Sequence, residues 1–301
     1  MAFVYEAYDT NLDRSVAVKA LRPEMAEDRS VRERFVYEAM LLGDMDHPGM
    51  VPIFEIGELE EAGIFYSMKR IKGRTFRQIL DSREGNRLDR REVARLLTIF
   101  GKVCQTVAYA HSRGIVHRDI KPENVMVDEY GIVLVLDWGL SKKIDEHEVS
   151  QGITATQTGI IKGTPAYMSP EQAEGRTHEI DFRTDVFSLG IILYEILSGH
   201  LPFPGKTRTE VLLQIANHQP PSPRRKHRSA SPALSSVCMK ALQKDPEKRY
   251  GTAQELSEDL ERYSRGEDTS AYRPKFWERL FAWAERHPAL ATALTIFVSL
   301  A

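Results

Sequence analysis

Cysteine is scarce in this sequence, and its scarcity excludes two kinds of stabilisation. The chain of 301 residues contains two cysteines, Cys104 and Cys238, which are too few for a disulfide framework. Their separation also lacks the paired spacing of a structural zinc site. Both lie in apolar patterns typical of helices, so we expect them to be small core residues of a protein in a reducing compartment.

An excess of charge of one sign is also missing. The chain carries 41 Lys and Arg residues against 43 Asp and Glu residues, a formal net charge of −2. Because so small a charge produces no broad positive field, we expect no nucleic-acid partner. Apolar residues make up 42% and charged residues 28%, which excludes a disordered or fibrous protein and allows one large domain or two smaller ones.

A long apolar run is the third absence. The uncharged segment 289–301 has 13 residues, whereas a membrane-spanning helix needs about 20. The preceding segment interleaves basic and aromatic side chains, a composition typical of the cytoplasmic interface of a membrane: Lys275, Arg279 and Arg286 with Trp277, Phe281 and Trp283. We expect a juxtamembrane linker at 265–288 and the start of a membrane-spanning helix at 289–301. The alternative is an amphipathic helix that packs on the domain or on a partner.

Strand patterns dominate the first 68 residues. Strands are predicted at four alternating apolar segments: 4–7, 16–20, 51–56 and 64–68. One helix is predicted between the second and third strands, beginning at a capping box of Ser30 and Glu33 and ending at His47-Pro48-Gly49. This part of the chain is therefore predicted to be a small sheet that carries one helix.

Helical patterns dominate after Gly73. Asp89, with Glu92 three residues later, predicts the start of a long helix that ends at Arg113. The almost wholly apolar segment 186–197 predicts a helix that is buried on all sides. The remaining elements are predicted at shorter segments: strands at 125–127 and 132–136, and helices at 209–217, 233–243 and 253–264.

Two segments lack the period of a helix or a strand. Residues 137–171 are rich in Thr and Gly, and a loop of this length inside a compact domain is usually functional or disordered. Residues 220–228 are proline-rich and basic. We interpret the second segment as a solvated connection rather than a docking patch.

The strongest chemical signal is the segment His117-Arg118-Asp119-Ile120-Lys121-Pro122-Glu123-Asn124. It has the spacing H-R-D-x-x-x-x-N and lies between the long helix and a predicted strand. A strand that bears a lysine, Val16-Ala17-Val18-Lys19, precedes it, whereas Leu136-Asp137-Trp138-Gly139 and Ser169-Pro170-Glu171 follow it. The combination of these motifs in this order argues against a chance match.

On these motifs the sequence resembles the eukaryotic-like bacterial serine/threonine protein kinases over about residues 1–264. Segments 163–172 and 185–190 are also similar to those of bacterial members. The resemblance implies an ATP-dependent phosphotransferase that acts on Ser and Thr hydroxyls of protein substrates, including its own chain by autophosphorylation. The implied fold is α+β and two-lobed: a small β-rich N-lobe at 1–68, a hinge at 69–73 and a larger helical C-lobe at 74–264.

Phosphoryl transfer requires positioning and charge neutralisation more than covalent chemistry, and the resemblance assigns these tasks to named side chains. Lys19 contacts the α- and β-phosphates of ATP and is held by Glu38. Glu33 competes for this partnership, but the predicted capping box already engages it. Asp119 accepts the proton of the substrate hydroxyl, and Lys121 neutralises the γ-phosphate.

The resemblance also implies a metal site and an ATP pocket. Asn124 and Asp137 bind Mg²⁺, or Mn²⁺ as the alternative metal, through the hard oxygen atoms that such ions prefer. The pocket is lined by residues of the first strands and of the hinge: Val4, Ala17, Lys19, Met68, Lys69 and Ile71.

Arg118 is a cation beside Asp119 and therefore requires an anionic partner. The resemblance implies that a phosphothreonine on the long loop supplies the anion and orders the loop, with three candidates: Thr154, Thr156 and Thr158. The alternative is a loop of ordinary polar residues. Thr164 is expected to hydrogen-bond near Asp119 and to help shape the substrate site.

Four further residues are assigned structural rather than catalytic roles. We expect His117 to be a packed, hydrogen-bonded core histidine. Asp185 is expected to fasten the backbone of the catalytic loop. Glu171 and Arg249 resemble the structural ion pair of the family.

The sequence departs from the family pattern at three places. The glycine-rich loop that covers the phosphates is missing with the first strand, since its expected position lies before Met1. Trp138 replaces the commoner phenylalanine, and Ser169 replaces the usual alanine. We interpret the missing loop as a truncated start. The alternative is a relative that lacks its first strand, acting as a pseudokinase-type binding scaffold with weak or no phosphotransfer.

Two further expectations come from the resemblance. A small-molecule phosphotransferase that shares the fold is the rival interpretation of the function, but such an enzyme has no need of the long 137–171 segment.

Many of the kinases that the sequence resembles are anchored to the membrane by one helix after the catalytic domain. We therefore expect the catalytic domain to be cytoplasmic and attached to the cell membrane through the helix that begins at 289–301.

Overall fold

The protein is described here from a computed structural model, which describes residues 2–59, 63–83, 89–143 and 165–274. These residues form a small lobe built on a β-sheet and a larger lobe that is mostly helical. The two-lobed α+β fold that the sequence predicts is confirmed.

The N-lobe contains a four-stranded antiparallel sheet with strand order β1-β2-β4-β3. The predicted strands are confirmed, although β3 begins two residues later than expected. Pro52 has no N–H to donate to a strand ladder, and its carbonyl instead accepts a hydrogen bond from the Lys69 N–H at 3.0 Å. The elements of the N-lobe are β1 (Ala2–Asp9), β2 (Arg14–Leu21), α1 (Pro23–Ala26), α2 (Arg29–Asp44), β3 (Ile53–Leu59) and β4 (Gly63–Lys69).

The register of this sheet gathers one set of side chains on a single face. Val4 pairs with Lys19, and Lys19 pairs with Tyr66. Two positions along the strands, Ala17 pairs with Met68. Because directly paired residues and residues two apart share a face of a sheet, these five side chains lie on the same side. All five residues line the cleft described below.

The start of α2 differs from the prediction. The predicted capping box of Ser30 and Glu33 is wrong, because Asp28 caps the helix. Its carboxylate accepts hydrogen bonds from the N–H groups of Ser30 and Val31 at 2.9 and 3.3 Å. Glu33 instead forms an ion pair with Arg29 at 2.7 Å. An aspartate is a strong N-cap acceptor, and its charge also complements the positive end of the helix dipole.

A small core joins α2 to the sheet. Val31, Phe35 and Ala39 recur at helical spacing and pack against the sheet, together with Leu21, Ile64 and Tyr66. The same side of α2 buries one charged residue, Glu38. A carboxylate therefore lies among apolar neighbours where the helix meets the cleft.

The C-lobe is built around two long helices, α4 and α6, which share one apolar core. A three-stranded antiparallel sheet, β5-β7-β8, and the pair β6-β9 lie in the same lobe. Its strands are β5 (Gly73–Thr75), β6 (Ile115–Val116), β7 (Val125–Asp128), β8 (Val133–Val135) and β9 (Lys142–Lys143). Its helices are α3 (Phe76–Asp81), α4 (Arg90–Ser112), α5 (Pro170–Ala173), α6 (Phe182–Ser198), α7 (Arg208–Asn217), α8 (Pro223–Lys226), α9 (Pro232–Ala241) and α10 (Ala253–Ser264).

The two long helices follow their sequence signals. Asp89 caps α4, as predicted, by accepting a hydrogen bond from the Arg91 N–H at 3.3 Å. Helix α6 is buried along nearly its whole length, as its apolar pattern predicts. It begins before the apolar run because the Asp181 carboxylate caps it through the Arg183 N–H at 2.8 Å. Both cysteines are buried and free, as expected.

The segments after α7 and α10 are more ordered than their composition predicts. Helix α8 forms one turn inside the proline-rich basic segment. After α10, the N–H groups of Ser270 and Ala271 donate to the Asp259 carboxylate at 2.7 and 3.3 Å.

The segments 275–288 and 289–301, which contain most of the predicted linker and the predicted start of a membrane helix, lie outside the described residues. Within the described ranges, none of the helices has the length and apolar character needed to cross a membrane.

Candidate active site

A cleft of about 760 Å³ lies between the lobes, a volume within the usual range of small-molecule sites. The shared face of β1, β2 and β4 forms one wall, and the loop after β6 together with the end of β8 forms the other. Six side chains that the sequence analysis assigned to the phosphates, the metal and the acceptor hydroxyl line this cleft: Lys19, Glu38, Asp119, Lys121, Asn124 and Asp137.

Lys19 and Glu38 form an ion pair, with Lys19 Nζ 2.7 Å from Glu38 Oε1. The Tyr66 hydroxyl donates to the same oxygen at 3.1 Å. Burial, with the nearby Glu38 charge, raises the pKa of Tyr66 far above its ordinary value, so the hydroxyl remains a donor. Glu33 points elsewhere, with 64% of its side chain exposed, because positions 33 and 38 lie on different faces of the helix.

Asp137 reaches the cleft from the end of β8. Its Oδ1 lies 3.9 Å from Lys19 Nζ, and 55% of its side chain is exposed. Its φ of +62° lies in the left-handed region, which is uncommon for a residue with a side chain. The next residue, Trp138, is buried and donates its Nε1–H to the Val135 carbonyl at 3.2 Å. Trp138, which is larger than the commoner phenylalanine, thus fills an apolar slot and anchors the chain beside Asp137.

Asp119, Lys121 and Asn124 form a second polar cluster. Lys121 Nζ lies 2.6 Å from Asp119 Oδ2. Asn124 Nδ2 donates to the Asp119 carbonyl at 2.9 Å and to Asp119 Oδ2 at 3.2 Å. Since its amide nitrogen is engaged in this way, Asn124 keeps its Oδ1 available as an acceptor or a metal ligand.

The donor set of the cleft fits Mg²⁺. Asn124 Oδ1 and the Asp137 carboxylate are hard oxygen ligands, and one or two such groups with phosphate oxygens and waters are the usual Mg²⁺ environment at nucleotide sites. In the part of the chain that the structure describes, no cluster of three His, Cys, Asp or Glu side chains could hold a metal. These residues therefore fit an ion that arrives with a nucleotide.

Asp185, on α6, holds the backbone of the loop that carries Asp119. The buried Asp185 carboxylate accepts hydrogen bonds from the His117 and Arg118 N–H groups, both at 2.8 Å. It also contacts His111 Nε2 at 3.0 Å. Burial alone would raise the pKa of Asp185, but the hydrogen bond from His111 and the neighbouring charges hold it below its ordinary value. His117 is buried, with Nε2 3.1 Å from the Leu136 carbonyl, so both structural predictions are confirmed.

Arg118 combines a partly buried charge with an unusual backbone. Its φ is +68°, and its buried Nε has no hydrogen-bond partner among the described residues. Burial lowers the pKa of its guanidinium, an effect that the Asp185 charge opposes. Its carbonyl accepts the Gln172 side-chain amide at 2.7 Å, which ties α5 to the loop. The predicted phosphorylation sites Thr154, Thr156 and Thr158 lie outside the described residues, and so does Thr164, which is predicted to shape the substrate site.

The ion pair predicted between Glu171 and Arg249 is present and buried. Arg249 Nη1 and Nη2 each lie 2.9 Å from a different Glu171 oxygen. Burial alone would raise the pKa of Glu171, but Arg249 lowers it below its ordinary value. Ser169, the departure from the usual alanine, caps α5 and forms a capping box with Gln172. The serine therefore has a local structural role.

The residues that the sequence predicts for an ATP pocket all line this cleft. Besides Lys19, they are Val4, Ala17, Met68, Lys69 and Ile71. Several other residues, to which no sequence motif pointed, also line the cleft: Val51, Tyr66, Met126, Val135 and Leu136. Strand alternation could have identified Tyr66, which is two residues from Met68 on β4.

Comparison with known proteins gives one consistent family. The protein kinase domain family matches residues 1–260. Serine/threonine-protein kinase PknB of Mycolicibacterium smegmatis is 38% identical over 274 residues, which cover 90% of this chain and 42% of the relative. PknB of Mycobacterium tuberculosis is 38% identical over 296 residues, 97% of this chain and 45% of the relative. PknD of Chlamydia felis is 37% identical over 285 residues, 88% of this chain and 30% of the relative. The chain thus spans less than half the length of these relatives.

Proposed function

The chain belongs to the protein kinase domain family, and we propose that it transfers the γ-phosphoryl group of ATP to Ser and Thr hydroxyls of protein substrates. One observation carries the proposal. Four groups from separate parts of the chain, Lys19, Asp119, Asn124 and Asp137, line a single cleft. Their charges and donor types match what phosphoryl transfer requires, namely cations for the phosphates, oxygens for the metal and a carboxylate for the acceptor.

Lys19 and Glu38 act as one unit in this proposal. The ammonium binds the α- and β-phosphates, and the carboxylate, 2.7 Å away, limits the rotamers that the lysine adopts. The Tyr66 hydroxyl donates to the same Glu38 oxygen and helps to hold the carboxylate in place. The pair thus presents a positioned positive charge, which stabilises phosphate better than a freely moving one.

Asp119 and Lys121 act on the acceptor. An Asp119 carboxylate oxygen accepts a hydrogen bond from the substrate hydroxyl, orients it and takes up its proton as the new O–P bond forms. Lys121, already 2.6 Å from that carboxylate, adds positive charge where the γ-phosphoryl group transfers. Lysine at this position is the pattern that the sequence shares with Ser/Thr kinases.

Asn124 and Asp137 would hold Mg²⁺, with Mn²⁺ as the alternative. When bound, such an ion would supply positive charge against the phosphates. Asn124 is suited to the task because Asp119 fixes its amide nitrogen and thereby orients its oxygen. The nucleotide pocket of the proposal is formed by Val4, Ala17, Met68, Lys69 and Ile71.

We further propose that phosphorylation regulates the enzyme. Arg118 is a partly buried cation whose buried Nε has no hydrogen-bond partner among the described residues, and a phosphate on the following loop would supply that partner. Thr156 and Thr158 are the proposed phosphorylation sites, modified by autophosphorylation, and Thr164 is proposed to shape the substrate site.

The proposed catalytic domain covers residues 1–264. A linker at 265–288 and a membrane anchor that begins within 289–301 are proposed to follow it. In this arrangement the catalytic domain is cytoplasmic.

The test is a transfer assay with the purified chain, Mg²⁺, ATP labelled at the γ-phosphate, and a protein rich in Ser and Thr. We expect label on Ser or Thr that disappears in Asp119→Asn, while Mg-ATP still raises the melting temperature of that variant. Asp46→Asn makes the same chemical change at an exposed position and should retain the activity. Stabilisation by Mg-ATP with no transfer would favour the pseudokinase scaffold, and transfer only to small molecules would favour the rival phosphotransferase.

A further inference from the structure

A second concavity of about 1120 Å³ lies on the C-lobe and shares no lining residue with the cleft between the lobes. The loop 200–205, helix α7 and the segment 218–226 surround it, and Ala166 lies at its edge. We call this feature the α7 groove. Its volume exceeds what a few water molecules require and is large enough for several side chains of a peptide.

The lining of the α7 groove is largely apolar. Tyr194, Leu201, Phe203 and Val211 contribute to it. Leu213 also lines the groove, although 56% of its surface is exposed. An exposed leucine beside an apolar concavity is typical of a surface that binds a large apolar side chain.

A basic segment adjoins the α7 groove. Lys226 lines the groove, as does one acid, Glu210, whose carboxylate accepts a hydrogen bond from the Lys206 N–H at 2.8 Å. Arg224, Arg225 and Arg228 belong to the same short segment as Lys226. All four side chains are exposed, and none has a carboxylate of the described residues within ion-pair distance. Four uncompensated positive charges in a nearly neutral chain form a local site for negative charge.

The α7 groove is connected through α5 to the loop that carries Asp119. Ala166 belongs to the turn that precedes α5, and α5 packs against α7. Gln172 of α5 is hydrogen-bonded to the carbonyl of Arg118, the neighbour of Asp119. A polypeptide with its hydroxyl at Asp119 could therefore continue past residue 166 into the groove.

We propose that the α7 groove docks a segment of the protein substrate in which a large apolar side chain is flanked by acidic residues. The apolar side chain occupies the concavity beside Leu213, and the acidic side chains pair with Arg224, Lys226 and their neighbours. This proposal rests on the proposed function, since it names the class of substrate. A membrane surface fits less well, because a flat bilayer cannot fill a concavity lined by side chains from three chain segments.

The primary test measures binding without phosphoryl transfer. Two fluorescent Thr-containing peptides are titrated against the full chain by anisotropy, one with a leucine flanked by glutamates and the other with the same leucine flanked by serines. We expect the acidic peptide to bind about tenfold more tightly, and this preference to shrink as salt is raised. Equal affinity of the two peptides at low salt would overturn the proposal.

Charge-matched variants locate the binding. Arg224→Ala combined with Lys226→Ala should weaken the acidic peptide about five- to tenfold, since two ion pairs are lost. Arg91→Ala combined with Arg95→Ala removes the same charge from exposed positions on α4, which lines no part of the groove, and should leave binding unchanged. Leu213→Ser should weaken both peptides. Equal losses in the two double variants would mean that only net charge matters, which contradicts the proposal.

Two further measurements separate the docking proposal from the proposed function and from other occupants. In transfer assays, the Arg224→Ala, Lys226→Ala variant should raise KM for the acidic peptide and leave kcat unchanged. If the wild type binds the acidic peptide and transfers no phosphate, docking stands and the proposed function fails. If phosphate is transferred and the two peptides are equivalent, docking alone fails. Groove-dependent binding to anionic vesicles, or self-association that the variant abolishes, would assign the groove to a membrane or a second copy instead.

Discussion

The Asp185 carboxylate holds Arg118 in a backbone conformation that the residue itself disfavours. Asp185 Oδ1 accepts the Arg118 N–H at 2.8 Å, and the φ of Arg118 is +68°. A left-handed residue with a side chain costs about 1–2 kcal/mol. A buried anion on α6 thus stabilises the strained backbone directly before Asp119, so that a residue without a role in transfer determines where the proposed base lies.

The first prediction concerns this contact. Asp185→Asn keeps the shape of the side chain but replaces an acceptor oxygen with an N–H₂ group, which faces other donors. We expect the free energy of unfolding to fall by about 2–4 kcal/mol and kcat to fall with it. Urea unfolding and the transfer assay measure the two effects. Asp44→Asn, which removes an exposed partner of Arg113, should change stability by less than about 1 kcal/mol. Similar losses in both variants would contradict the role of Asp185.

The second prediction distinguishes the two glutamates of α2. Glu38→Gln removes the charge that pairs with Lys19 and retains the size of the side chain. We expect kcat/KM for transfer to fall about 100-fold, because Lys19 loses its fixed position beside the phosphates. The matched variant Glu33→Gln, on the exposed face of the same helix, should remain within about twofold of the wild type. A larger loss in Glu33→Gln than in Glu38→Gln would mean that Lys19 has another partner in the active enzyme.

The third prediction concerns acid stability. Arg249 holds the pKa of Glu171 below its ordinary value of 4.5, although burial alone would raise it. A carboxyl with a lowered folded-state pKa contributes stability that is present above its unfolded-state pKa and is lost as pH falls through the folded-state value. Glu171→Gln should therefore lower the free energy of unfolding by about 3–5 kcal/mol at pH 7, because Arg249 remains buried without its partner.

The same variant should also lose less stability than the wild type when pH falls from 7 to 4. Urea unfolding at both pH values measures the difference. Glu247→Gln, which removes an exposed partner of Arg183, is the control and should keep the wild-type pH dependence. An unchanged pH dependence in Glu171→Gln would show that other carboxyls dominate acid unfolding.

The fourth prediction concerns a lysine with a lowered pKa. Lys244 lies 4.0 Å from the Phe203 ring centroid and donates to the Ile215 carbonyl. Burial lowers its pKa from 10.5 to about 8, and the Arg249 charge adds to the effect. Between these two values the unfolded chain binds more protons than the folded one, so Lys244 makes the free energy of unfolding rise with pH over this window.

Lys244→Met keeps the apolar stem and removes the titrating group. We expect the rise in stability between pH 8 and 10 to shrink by about 1–2 kcal/mol relative to the wild type, measured by urea unfolding. Lys248→Met, at a mostly exposed position, should leave the rise unchanged. The same rise in Lys244→Met and in the wild type would show that Lys244 titrates normally.

The fold and most of the cleft could be predicted because their signals are local. The alternation of β1, β2 and β4, the apolar run in α6 and the spacing from His117 to Asn124 are each carried by neighbouring residues. The N-cap of α2, by contrast, could not be predicted from neighbouring residues alone. Asp28 and Ser30 both suit an N-cap, and only the packing of Val31 and the rest of the helix against the sheet selects between them.

By itself, the sequence determined which chemical groups the protein possesses and in what order, including the lysine on β2, the loop around Asp119 and the acid after β8. Tertiary structure alone decided which of them meet. It placed Tyr66 against Glu38 and Lys226 beside an apolar groove. The physical reason is that periodicity and motif spacing are properties of adjacent residues, whereas burial and contact depend on how distant elements pack.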